Sequence, residues 1–190
     1  DMETADLHEA LDTLGAILAA RGQPYDIVVI GGGALLLLGL IDRPTRDLDI
    51  VSRIEGERWL EGEPMPGPIA QAIADVASAL DLDGHWLNAG PTSLLRFGLQ
   101  AGFADRVVTQ SYGALTVRLA GRIDQVAFKL YAAVDQGPRS KHFKDLRLLT
   151  PTRDERVVAA RWCQTHDTSP PVRDMLLQAL TALGVEDADV

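Results

Sequence analysis

The sequence predicts an α/β protein: a small mixed sheet flanked by helices, followed by a helical C-terminal part. Three observations carry that expectation. Asp26–Ile30 is a short, β-branched apolar run of strand length, and Arg106–Ser111 and Ala114–Leu119 flank Tyr112-Gly113 in the manner of a hairpin. Segments between and around them repeat apolar residues at spacings of three and four, the period of an amphipathic helix. Beyond Arg122 only the helical period recurs. Residues 1–120 are expected to form the core, and residues 121–190 a helical part packed on it as a single compact unit.

The elements follow in chain order. Asp6–Arg21 places Leu7, Leu11, Leu14, Ile17 and Leu18 on one helical face, and Gly22 with Pro24 ends it. Asp26–Ile30 is a buried strand. Gly31, Gly32 and Gly33 then turn the chain into a leucine-rich helix, Ala34–Leu40. In a second strand, Asp47–Val51, both aspartates share one face and Leu48 and Ile50 the other. Arg53–Pro68, with three glycines and three prolines, reads as an irregular loop. Ile69–Leu80 is a helix, His85–Leu87 a short strand within a turn-rich connection, and Thr92–Gln100 a short helix. Arg106–Ser111 and Ala114–Leu119 form a hairpin about Tyr112-Gly113. Helices are expected at Arg122–Val134, Ser140–Leu149, Arg153–Thr165 and Pro171–Leu183.

At 190 residues the chain buries enough surface to be stable without disulfides or structural metal. The single cysteine, Cys163, excludes an internal disulfide and a cysteine-rich zinc site, which agrees with a reducing cytoplasm. No apolar run approaches the roughly 18 residues of a membrane span. Asp1, Glu3 and Asp6 stand where a secretion signal carries basic residues. A soluble cytoplasmic protein without a membrane partner is therefore expected. The net charge is −9, but it is unevenly spread. Thr116–Arg147 holds seven Lys/Arg against three Asp, whereas Ile54–Asp83 holds seven acids against Arg58 alone. The later segment suits a polyphosphate or RNA, and scattered solvated charge is the alternative.

The segment Asp26–Val51 concentrates the chemistry. Carboxylates at i and i+2 of a strand point to the same side and can share a hard divalent cation. Glycines directly after a strand let phosphate oxygens approach the backbone N–H groups. Either feature alone is ordinary, a tight turn or a solvated strand face. One short helix apart, they suit metal-assisted phosphoryl chemistry. The glycine spacing is neither a dinucleotide fingerprint nor a P-loop.

The stretch GGGALLLLGLIDRPTRDLDIV resembles the core motif of the DNA-polymerase-β-like nucleotidyltransferase fold, closest to the AbiEii-type family of bacterial toxin nucleotidyltransferases. Gly31, Gly32, Arg43, Thr45, Asp47 and Asp49 occupy its motif positions. A second element, Phe128-Lys129-Leu130-Tyr131-Ala132 followed by Arg139, Lys144 and Asp145, is similar to the family's lysine helix and basic turn. The resemblance implies that Asp47 and Asp49 hold Mg²⁺ or Mn²⁺, and that Gly31, Gly32, Arg43 and Thr45 bind an NTP. It implies that Lys129 neutralises triphosphate charge and that Asp145 serves as metal helper or base. The implied activity is transfer of a nucleoside monophosphate to a hydroxyl, the tRNA 3′ end, by a toxin paired with an antitoxin protein. Two further readings remain: transfer to a protein or an aminoglycoside-like small molecule, and an inactive nucleotide-binding fold member.

One departure bears on metal count. The family's third carboxylate belongs on a later strand, where this chain has Arg118; either Asp145 or Asp124 substitutes, or the site uses two metal-binding carboxylates only. Lys129 interrupts the apolar face Ile123, Val126, Ala127 and Leu130, so it either meets a partner or snorkels to solvent. Arg139, Lys141, His142, Lys144 and Arg147 either grip an RNA backbone or line a solvated helix. His8, His85, His142 and His166 are too dispersed to suggest a metal cluster. Trp86-Leu87-Asn88 reads as core and turn, and Cys163 as structural.

Overall fold

The computed structural model describes residues 1–186 and 190. The chain divides into two compact units, Asp1–Ala120 and Gly121–Val190.

The first unit is mixed α/β. Its elements are α1 (Thr4–Ala20), β1 (Tyr25–Ile30), α2 (Gly31–Leu37), β2 (Leu48–Glu55), β3 (Arg58–Glu61), α3 (Gly67–Leu80), β4 (Leu87–Asn88), α4 (Ser93–Phe97), α5 (Phe103–Arg106), β5 (Val108–Tyr112) and β6 (Leu115–Leu119). The sheet runs β3-β2-β1-β6-β5, with β4 paired to β2. β1 is antiparallel to β2 and parallel to β6, so the sheet is mixed. Its central position explains the unbroken burial of Ile27–Ile30, since a strand covered on both faces has no use for polar alternation. Leu7, Ala10, Leu11, Leu14 and Leu18 of α1 are buried at the expected helical spacing.

Gly15 brings α1 against the β5–β6 turn. A Cβ on Gly15 would lie 1.8 Å from the Tyr112 carbonyl oxygen, and the Gly15 carbonyl accepts from Ala114 N at 3.2 Å. No larger residue fits so close a backbone approach. Nearby, Tyr112 Oη donates to Gln110 Oε1 (2.7 Å) and lies 2.8 Å from His8 Nδ1. Burial, together with the charge of Asp12, pushes the Tyr112 phenol up to about 12.

Several expected boundaries shift. The expected loop Arg53–Pro68 instead begins with a hairpin, in which β2 runs on to Glu55 and pairs with β3. Gly56 supplies the left-handed backbone of the turn at φ 62°, while the prolines belong to the separate lead into α3. Counting glycines and prolines together merged a turn signal with a helix-start signal. The second strand begins at Leu48 rather than Asp47. The three glycines form the first turn of α2 rather than preceding it. The short strand expected at His85–Leu87 is Leu87–Asn88, and the expected helix Thr92–Gln100 is a 3-10 turn at Gly90–Thr92 followed by the shorter α4.

The second unit contains α6 (Arg122–Gln136), α7 (Lys141–Leu149), α8 (Arg153–His166) and α9 (Pro170–Ala182). Ser140 Oγ caps α7 by accepting from Phe143 N. Thr152 and Glu155 form a reciprocal capping box on α8. Arg122 ties three helices together, donating to Glu155 Oε1 (2.7 Å) and to the Leu149 carbonyl (2.6 Å). Cys163 is buried and its thiol is pushed up to about 12 by that burial, so it stays protonated and unreactive. Among the described residues no helix is long and apolar enough to cross a membrane.

Candidate functional site

The first unit gathers the six motif residues at one corner, where β1 passes into α2 beside the start of β2. Ile30 and Asp49 are directly opposed across the β1–β2 ladder. Gly31, at φ 82°, follows at once, and a Cβ there would lie 2.8 Å from Asp49 Oδ2. A Cβ at Gly32 would meet Arg43 Nη2 at 3.2 Å and Thr45 Oγ1 at 3.5 Å. One at Gly33 would meet Leu48 Cδ2 at 2.4 Å and the Asp47 carbonyl at 2.8 Å. Gly31 is demanded by its left-handed backbone and Gly33 by the nearby Asp47 carbonyl, whereas Gly32 faces only the side-chain ends of Arg43 and Thr45. Asp47 and Asp49 are half-buried, while Leu48 and Ile50 are fully buried. The alternation read from the sequence holds from Leu48 to Ile50, and Asp47 precedes the strand itself.

Thr45 is placed differently from an open ligand-binding hydroxyl. It is buried, and its Oγ1 donates to the Asp47 carbonyl at 3.1 Å. Its backbone bridges to Met2, through Met2 N to Thr45 O at 2.6 Å and Thr45 N to Met2 O at 3.0 Å. Thr45 thus braces the approach to Asp47. Arg43 is half-buried against Gly32.

Arg118 stands where a third carboxylate was sought. Val28 opposes Arg118 and Ile30 opposes Asp49, so Asp26, Arg118 and Asp49 share one face of the sheet. Asp26 accepts both Nε (2.9 Å) and Nη2 (2.8 Å) of Arg118. The guanidinium is thereby committed to Asp26, a bidentate partner that sequence reasoning missed. The one available signal was an acid at the mouth of an apolar strand and a base within an alternating one.

On the Asp47 side a cavity of about 510 Å³ is lined by Arg46, Asp47, Asp81, Asp83, His85 and Trp86, among others. Trp86 is fully buried and donates Nε1–H to the Ile73 carbonyl, so its reading as core holds. Asp81 and Asp83 were visible only as part of the acidic stretch Ile54–Asp83. Among the described residues, no three His, Cys, Asp or Glu side chains gather closely enough to form a metal-binding group. Asp47 and Asp49 remain the pair that the sequence nominates as metal ligands. Two carboxylates suit a hard cation that completes its shell with water and phosphate oxygens, and Asp49 Oδ2 faces the side of Gly31 that carries no side chain.

In the second unit Lys129 and Asp145 meet directly, Nζ to Oδ2 at 2.7 Å, with side chains 4% and 0% exposed. Lys129 therefore finds a partner rather than snorkelling to solvent. Asp124 and Gln125 are buried beside it in sequence, whereas Ile123, assigned to the apolar face, is 44% exposed. Arg139, Lys141, Lys144 and Arg147 are exposed, and Arg147 lies over the Phe143 ring at 5.1 Å. Compared with protein-family models, with curated proteins and with solved structures, the chain matches none of them.

Proposed function

We propose that the protein is a metal-dependent nucleotidyltransferase that moves a nucleoside monophosphate from an NTP to a hydroxyl acceptor, with pyrophosphate as the leaving group. The observation that carries this reading is the convergence of Gly31, Gly32, Arg43, Thr45, Asp47 and Asp49 on one corner. Residues 18 positions apart, Gly31 and Asp49, come within contact distance there.

In this reading Asp47 and Asp49 would hold Mg²⁺ or Mn²⁺, which would supply positive charge to offset that of the triphosphate. The chain's own contribution is positional. Gly31 and Gly32 offer a backbone surface without side chains for phosphate oxygens, and Arg43 supplies a fixed positive charge beside them. Thr45 holds the Asp47 backbone through its hydroxyl. The sequence resemblance to toxin nucleotidyltransferases makes the 3′ end of tRNA the first acceptor to test and an antitoxin the first protein partner. It also supplies the functional roles for Lys129 and Asp145. Their mutual pairing supports a structural role as well, because removing either leaves a buried charge uncompensated.

A second acceptor class has its own support. The cavity beside Asp47 carries more acidic than basic side chains, which favours a cationic acceptor such as an aminoglycoside over RNA at that wall. The test is transfer of label from each α-³²P NTP, with Mg²⁺, to total tRNA, to aminoglycosides and to protein. Wild type is expected to label one acceptor class, and Asp47→Ala to label none. Absence of transfer to every acceptor by folded protein that still binds an NTP would leave the inactive nucleotide-binding reading in its place.

A further inference from the structure

We infer that the outer face of α7 is a binding surface for the sugar–phosphate backbone of RNA, an inference that names the acceptor class of the transferase reading and rests on it. The argument begins with how α7 divides its circumference. Phe143, Leu146 and Leu149 are buried, and so is Asp145, the helix's one acid, which is held by Lys129. At about 100° per residue these positions occupy one side of the helix. The opposite arc, about 120° wide, carries Lys141, Lys144, Arg147 and Leu148. All four are exposed. The outer face therefore presents three cations and no carboxylate, with Arg139 exposed just before the helix.

Elsewhere several arginines pair with acids, Arg21 with Asp75, Arg53 with Glu55, Arg96 with Glu61 and Arg118 with Asp26, and others such as Arg156 and Arg173 donate to backbone carbonyls. Among the described residues no carboxylate lies within ion-pair distance of Arg139, Lys141, Lys144 or Arg147. In a chain of net charge −9, four cations left unpaired in one short stretch create a local field of opposite sign. Successive cations at i, i+3 and i+6 advance about 4.5 Å along the axis per step, a row suited to following a charged backbone rather than one point charge. The apolar side of α7 is already buried, leaving only Leu148 to enter a bilayer, so a nucleic-acid backbone fits better than a lipid surface.

The test is fluorescence anisotropy of a 5′-fluorescein tRNA transcript with the full chain, without NTP, across a salt series. Wild type is expected to bind with affinity that falls steeply with salt. Lys141→Glu/Lys144→Glu is expected to weaken binding at least about tenfold and to lower the salt slope by about two. Lys141→Arg/Lys144→Arg, matched in thermal stability, is expected to retain binding, which separates charge from packing. Unchanged affinity and slope in the glutamate variant overturns the inference. So does a wild type that ignores RNA and binds phosphatidylserine vesicles or an acidic peptide instead. RNA binding without any NMP transfer refutes the transferase reading and leaves this surface standing. Undiminished tRNA labelling by the glutamate variant does the reverse.

Discussion

Asp49 and Asp145 are both motif aspartates held by neighbours distant in sequence, yet their surroundings are opposite. Asp49 is half-buried at the sheet's corner, with Oδ2 against the empty side of a glycine. Asp145 is wholly buried, and its Oδ2 meets the Lys129 ammonium at 2.7 Å. The first carboxylate keeps part of its surface exposed beside the glycine. Burial gives the second a partner it cannot leave without a large desolvation cost. The contrast teaches that a carboxylate's residue type and spacing nominate it for chemistry, but its accessibility decides whether replacement disturbs function, folding or both.

That contrast can be broken by substitution, and the largest effect is expected in the second unit. Lys129→Met should cost roughly 3–5 kcal/mol in urea unfolding by stranding the Asp145 charge. Lys129→Met/Asp145→Leu should recover most of that loss, and a double variant as unstable as the single would show that the pair does not hold the helices.

The glycine wall should be next. At Gly33 an added methyl meets Leu48 and the Asp47 carbonyl, so Gly33→Ala is expected to cost about 1–3 kcal/mol, read as a lowered Tm. Gly31→Ala adds backbone strain at φ 82° and crowds Asp49, so NTP affinity should fall together with stability. An alanine variant at Gly31 with wild-type NTP affinity would detach the glycine wall from ligand binding.

Asp47→Ala should alter stability by no more than about 0.5 kcal/mol while abolishing transfer, the reverse of the balance expected at Lys129. Comparable destabilisation at Asp47 would erase the distinction between the two regions.

The smallest effect concerns pH. Burial pushes the Glu155 carboxyl up, but the Thr152 backbone N–H and the Arg122 and Arg156 guanidiniums outweigh it and hold the carboxyl below its ordinary 4.5. A lowered folded-state value adds stability above pH 4.5 that is lost as pH falls through the folded value. Acid titration of thermal stability should therefore show a shallower decline below pH 4.5 in Glu155→Gln than in wild type.

Much of this was legible in the chain. The helical period placed α1 and the four C-terminal helices to within a few residues, because a buried helical stripe must repeat at the helix's own pitch. The alternation through Leu48-Asp49-Ile50 survived, because strand geometry assigns the faces there, whereas Asp47 lies just ahead of the strand. Loop-like composition misled at Gly56, whose turn joins two paired strands. Ile123 misled in the other direction, since an apolar residue at the edge of a helical face need not be covered.

By itself the sequence determined the local elements and the two residue sets worth testing, since periodicity, glycine freedom and strand alternation act over a few residues. Only the tertiary structure decided which charges met. Arg118 turned to Asp26 across 92 positions, Lys129 closed on Asp145, Thr45 turned its hydroxyl inward to Asp47, and Gly31 came to rest against Asp49. Ion pairing and close approach depend on distances in space, and those are set by strand order and helix packing rather than by any neighbour along the chain.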